Sequence, residues 1–125
     1  IGWPLERIYD HFPRLAERRR QDAVTMSGGE QQMLAIARIL RTGATLLLLD
    51  EITEGLAPVI LKSLDDVIRK LRARGFTIIL VEQNFRFAAP LADRHYVIEH
   101  GRVVEQIAAD ELDAKQDQLN RHLSV

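Results

Sequence analysis

The chain has 125 residues, 46% hydrophobic and 28% charged, with a formal net charge of -1 and no cysteine. That length suits one small soluble domain, and the charge gives no general case for nucleic-acid or membrane binding. The absence of cysteine excludes a disulfide framework and a thiolate metal site. No apolar run is long enough for a membrane-spanning helix, and the N-terminus carries no signal-peptide pattern.

Leu5, Ile8, Tyr9 and Phe12 recur at helical spacing behind Pro4, which predicts a short first helix. Pro13 interrupts it, and "LAERRRQD" is expected to continue as a charged helical surface. Ser27 opens a clearer helix, with Met33, Ile36, Ala37 and Leu40 on one face and Gly43 as its stop. "TLLLLDE" reads as a fully buried strand, because nothing polar interrupts Leu46 to Leu49 before Asp50 and Glu51.

A further helix starts near Pro58 and is expected to bury Ile60, Leu64, Val67, Ile68 and Leu71. Asp65 with Arg69, and Asp66 with Lys70, stand four apart on its wet side. Gly75 ends it, and "FTIILV" is a second buried strand. A short helix is expected between Asn84 and Ala92, with Pro90 against its continuity. "HYVIE-HG-RVVEQI" predicts a β-hairpin turning at His100 and Gly101. "DELDAKQDQLNRHL" closes the chain as a weakly amphipathic helix. The order strand–helix–strand–helix with continuous apolar strands argues for a parallel α/β sheet. Ligands in such sheets sit beyond the carboxyl ends of the strands, where Asp50, Glu51, Glu82 and Gln83 fall.

Two short stretches carry chemistry. In "SGGE", Ser27 and Glu30 form a capping box, each side chain satisfying a free N–H at the helix start. The box leaves Gly28 and Gly29 unexplained, since glycine weakens a helix by roughly 1 kcal/mol relative to alanine. Close backbone approach to an anion at the helix N-terminus is a use for them. In "LLLLDE", Asp50 is suitably placed for Mg²⁺ against nucleotide phosphates, and Glu51 to orient or deprotonate a water. Two solvated acids at a strand end is the competing interpretation. His11, His95, His100 and His122 show no metal-ligand spacing. Arg18 to Arg20 read as a solvated face and Trp3 as a packing anchor.

Together, and separated by one helix, the two stretches resemble the ATP-binding subunits of ABC transporters. "MSGGEQQMLAIARIL" is similar to the family's signature and its helix, and "TLLLLDE" to its Walker B strand. "EGLAP", "LVEQN" and "LADRHYVIEHGRVVE" resemble the branched-chain, or hydrophobic, amino-acid importer branch. Urea and short-amide importers remain the alternative. The resemblance implies an α/β fold: the C-terminal portion of a P-loop NTPase domain, with parallel strands, flanking helices, a C-terminal β-hairpin and a helix. Residues 1–24 would end the helical subdomain, 25–94 would hold the signature, Walker B and switch-loop region, and 95–125 the hairpin and last helix.

The same resemblance implies ATP and Mg²⁺ as cofactors. Asp50 would serve the metal and Glu51 would be the general base. Gln83, where a switch histidine is usual, joins Glu51 in the catalytic set with a sensing or positioning role. Ser27, Gly28, Gly29 and Glu30 would bind nucleotide held mainly by another subunit. Met26 replaces the usual leucine, Glu30 the usual glutamine, Ile52 a proline and Ala57 the D-loop aspartate.

Implied partners are a second ATPase subunit, in a homo- or heterodimer, membrane-spanning permease subunits and, indirectly, an extracytoplasmic solute-binding protein. No nucleic-acid partner is expected, and the implied location is the cytoplasmic face of the membrane. These 125 residues contain no G-x-x-x-x-G-K-[ST] loop and begin at Ile1. The expectation is therefore a fragment inactive by itself, with a non-catalytic interaction module as the rival.

Overall fold

A computed structural model describes residues 2–123 of the chain. The described residues form two compact units, one running to Val81 and one starting at Glu82, each described by itself.

The first unit begins with α1 (Leu5–His11) and α2 (Pro13–Glu17). Pro13 takes the first position of α2, where its missing N–H costs nothing. The expected continuation through Arg18 to Arg20 does not form. Those residues make turns instead, because with Leu15 already buried no further apolar stripe docks the segment. Trp3 is the anchor the sequence implied: it is 8% exposed and its N–H donates to the Leu40 carbonyl at 3.0 Å. The Arg7 guanidinium lies 4.2 Å over its ring, a cation–π contact.

Helix α3 (Gly28–Arg41) buries Ile36, Ala37 and Leu40 along one stripe. Strand β1 (Leu46–Asp50), helix α4 (Pro58–Ala73) and strand β2 (Thr77–Val81) then form a β–α–β unit. Its strands pair in parallel from Leu46 opposite Thr77 to Asp50 opposite Val81. Helix α4 turns Leu64, Val67, Ile68 and Leu71 inward. On its wet side the Arg69 guanidinium pairs with Asp65, as the four-residue spacing predicted.

The strands depart from expectation in one respect. Leu47 and Leu49 are buried, but Leu46 and Leu48 are 52% and 68% exposed, and Ile79 and Val81 are 52% and 54% exposed. Register puts these four on one face of the sheet. The sequence reads as buried on both faces, yet among the described residues only one face is covered.

In the second unit, α5 (Phe85–Ala88) is a single turn capped by Asn84, shorter than expected because the chain leaves the helix before Pro90. Strands β3 (Arg94–Glu99) and β4 (Arg102–Ala108) form the predicted hairpin. His100 and Gly101 both have positive φ, 50° and 75°, which fits a two-residue turn matched to strand twist. Helix α6 (Gln116–Leu123) starts six residues later than predicted, since residues 109–111 form a 3₁₀ turn instead. There the Glu111 carboxylate accepts from the Ala108 N–H, so that stretch caps itself rather than extending the helix. Leu119 of α6 and Ile107 of β4 are almost fully buried. Residues 1, 124 and 125 of the expected segments lie outside the described residues.

Candidate functional site

The start of α3 is a closely tied structure. Ser27 sits at its N-cap with φ -62° and ψ 160°, and its hydroxyl oxygen accepts from the Glu30 N–H at 3.2 Å. The Ser27 hydroxyl in turn donates to the Glu30 carboxylate at 3.0 Å. The Arg18 guanidinium donates to the other carboxylate oxygen at 3.3 Å. Hydrogen bonds from Ser27, reinforced by Arg18, hold the Glu30 carboxyl below its ordinary pKa against the cost of burial. The Gln31 amide donates to the Ala23 and Met26 carbonyls, fastening the preceding loop to the helix.

Gly28 and Gly29 differ. Gly28 is exposed, and a Cβ there would lie 3.1 Å from the flexible end of Leu56. Gly29 is buried, and a Cβ there would fall 2.2 Å from Ile60 Cγ2 on α4. Close approach of two helices therefore explains Gly29 without any ligand, a reason the sequence did not reveal. The first N–H groups of a helix have no partner within it, and the exposed Gly28 leaves the backbone at this start open.

At the carboxyl end of β1, Asp50 is exposed and still in register with Val81. The Glu51 N–H donates to the Val81 carbonyl at 2.8 Å, yet Glu51 has φ 49°. That left-handed backbone costs a non-glycine residue roughly 1–2 kcal/mol. Ile52 and Thr53, 5% and 7% exposed, bury themselves directly afterwards and hold the turn in place. Strain of this kind, maintained by packing next to an exposed carboxylate, marks a place where position matters more than stability.

Among the described residues no group of three or more His, Asp or Glu side chains is arranged to hold a metal. The pair Asp50 and Glu51 suits Mg²⁺ nonetheless. That ion takes one or two carboxylates and fills its octahedron with water and phosphate oxygens. Gln83 belongs to the second unit, where it is exposed in a bend just before the Asn84 cap. The structure thus gathers Ser27, Gly28, Gly29 and Glu30 at one helix start, and Asp50 with Glu51 at one strand end. The sequence missed Arg18: it lies twelve residues from Glu30, a separation to which no periodicity points. Each histidine with a side-chain contact makes it within its own unit. His11 bonds the Arg7 carbonyl, and His122 lies 2.7 Å from Glu99 and 3.9 Å from Glu105.

The sequence profile described as "ABC transporter" matches residues 5–54, from α1 through the Asp50–Glu51 turn. The high-affinity branched-chain amino acid transport ATP-binding protein BraG of Pseudomonas aeruginosa is 54% identical over 100 residues, which are 80% of this chain and 43% of that protein. The chain belongs to the ABC transporter ATP-binding family. The probable branched-chain amino acid transport ATP-binding protein LivF of Archaeoglobus fulgidus is 41% identical over 109 residues, 86% of this chain and 46% of that one. The chain therefore spans a little under half the length of these curated relatives. A crystal structure of a nucleotide-free ATP-binding cassette from an ABC transporter superposes with a TM-score of 0.84 at 21% identity, covering 95% of this chain and 47% of that one. That likeness supports the fold: an α/β P-loop NTPase architecture. No helix among the described residues is long and apolar enough to cross a membrane.

Proposed function

We propose that this ABC-family chain forms part of an ATP-hydrolysing subunit that powers import of branched-chain or other hydrophobic amino acids. The observation that carries the chemistry is the end of β1. There an exposed Asp50 is followed by Glu51, held out in a strained left-handed backbone by the buried Ile52 and Thr53. The names of the relatives, both branched-chain amino-acid transport proteins, carry the substrate class.

In this reading Asp50 would hold Mg²⁺, directly or through water, and the bound ion would supply positive charge beside the phosphates of ATP. Glu51 accepts a hydrogen bond from the attacking water and orients it in line with the γ-phosphate. The start of α3 closes on the γ-phosphate of ATP bound mainly by a second ATPase subunit. Ser27 offers its hydroxyl, and the backbone at Gly28 and Gly29 offers N–H groups in the field of the helix dipole. Glu30 fixes the rotamer of Ser27. Gln83 would donate a hydrogen bond to a phosphate oxygen or the water but would take up no proton, because an amide does not titrate near neutral pH. Permease subunits would hold the assembly at the cytoplasmic face of the membrane, with a solute-binding protein delivering the amino acid from outside.

The test joins these 125 residues to a half bearing a G-x-x-x-x-G-K-[ST] loop, and measures Mg²⁺-dependent ATP hydrolysis. Glu51→Gln is expected to lower turnover by a factor of about 10² or more, the scale of general-base catalysis, with ATP binding retained. Turnover undiminished by Glu51→Gln would overturn the assignment.

A further inference from the structure

Three consecutive arginines, Arg18 to Arg20, look alike in the sequence, but Arg18 is tied to the signature stretch. Its Nε donates to Glu30 Oε2 at 3.3 Å, and Glu30 Oε1 accepts from the Ser27 hydroxyl at 3.0 Å. Ser27 has a single O–H to give. A carboxylate therefore already occupies the proton that Ser27 would offer to a phosphate. The Glu30 side chain is 14% exposed and that of Arg18 44% exposed, so the pair stands at the surface with its carboxylate on the more sheltered side. Arg14, the nearest upstream arginine, is paired with Glu17. A carboxylate and a phosphate facing one hydroxyl repel unless a cation stands by.

We propose that Arg18 is a positioning residue that keeps Glu30 neutralised and drawn back, so that the Ser27 hydroxyl can turn to an incoming phosphate. The inference rests on the proposed role of Ser27 in nucleotide binding. In the unliganded state Glu30 holds the Ser27 proton as a stand-in anion. When a phosphate arrives, Ser27 releases Oε1, and Arg18 retains Oε2 and cancels the charge that would oppose the ligand. Glutamine at position 30 would not need the arginine, because an amide brings no charge to cancel.

The experiment is a double-substitution cycle in the chain joined to a half bearing the phosphate-binding loop, reading KM for MgATP and kcat separately. Arg18→Ala should raise KM roughly three- to tenfold, the effect of one uncompensated charge several ångströms away, with kcat at saturation little changed. Arg18→Lys should recover most of the loss. In a Glu30→Gln background, Arg18→Ala should change nothing.

The inference is overturned by a normal KM in Arg18→Ala. It is equally overturned by a penalty that persists in the Glu30→Gln background, which would mark Arg18 as a support of the loop alone. Urea midpoints of each variant separate folding from function; should Arg18→Ala fail to fold, Arg18→Gln takes its place in the cycle. A parent protein with no Glu51-dependent turnover would instead refute the functional reading, and this inference would fall with it.

Discussion

Gly29 decides between two explanations of the paired glycines, and Gly29→Ala tests them. A Cβ at this position would meet Ile60 Cγ2 at 2.2 Å, well inside the 3.0 Å that real Cβ atoms respect. Ile60 is β-branched and fixed to the first turn of α4, so it has little freedom to withdraw. Overpacking of this kind costs about 1–3 kcal/mol, and so severe an overlap belongs at the upper end. Replacing glycine by alanine within a helix returns about 1 kcal/mol. The net expectation is a loss of about 2 kcal/mol, read as a lower urea midpoint of the joined chain at unchanged m-value. Trimming Ile60 to alanine removes Cγ2, so the double variant should be about 3 kcal/mol more stable than the sum of the single effects implies, the full relief of the overlap. Gly28→Ala is the internal contrast: its neighbour is the mobile Leu56 Cδ2 at 3.1 Å, so stability should hold while ATP turnover falls. A Gly29→Ala protein that is more stable than its parent, or indifferent to Ile60→Ala, would refute the packing explanation.

Three further outcomes follow from the geometry. The apolar face of Leu46, Leu48, Ile79 and Val81 should make the 125 residues alone prone to association. Leu48→Lys with Ile79→Lys should therefore reduce light scattering of that chain, and unchanged scattering would count against an open face. Burial holds the His95 imidazole below its ordinary pKa, with its Nε2 buried and without a hydrogen-bond partner. Its folded form is thus the poorer proton acceptor. The stability it contributes is complete above the unfolded value near 6.5 and is lost as pH falls through the lower folded value. Urea midpoints at pH 7.5 and 5.5 should therefore differ less in His95→Phe than in the parent. His100→Asn should raise the thermal midpoint modestly, because asparagine tolerates the positive φ of a hairpin turn better than histidine does; an unchanged or lower midpoint would contradict this.

Much of this architecture was legible in the residues. The apolar stripe of Ile36, Ala37 and Leu40, the strand "LLLLD", the crossover helix behind Pro58 and the His100–Gly101 turn all declare themselves through period and turn chemistry. Ser27 and Glu30 revealed their cap through a three-residue spacing, a local rule that tertiary context did not override. What stayed hidden is what depends on contacts between distant segments. Ile60 against Gly29 and Arg18 against Glu30 are meetings that no periodicity encodes. The left-handed backbone of Glu51 was equally invisible, because glutamate gives no signal of positive φ as glycine does. The helical reading of Arg18 to Arg20 failed because helix propensity without a docking face does not keep a short helix together. Leu46 and Leu48 misled in the opposite sense: their pattern reports a face designed to be covered, and the described residues do not cover it.

The central claim, that Asp50 and Glu51 serve ATP hydrolysis, is tested most directly by one pair of rates. Mg²⁺-dependent ATP turnover would be measured for the joined chain with Glu51 intact and with Glu51→Gln, alongside ATP binding by each. The account predicts turnover in the first, its near-complete loss in the second, and equal binding in both. Equal turnover in the two proteins, or none in a folded parent that binds no ATP, would contradict it.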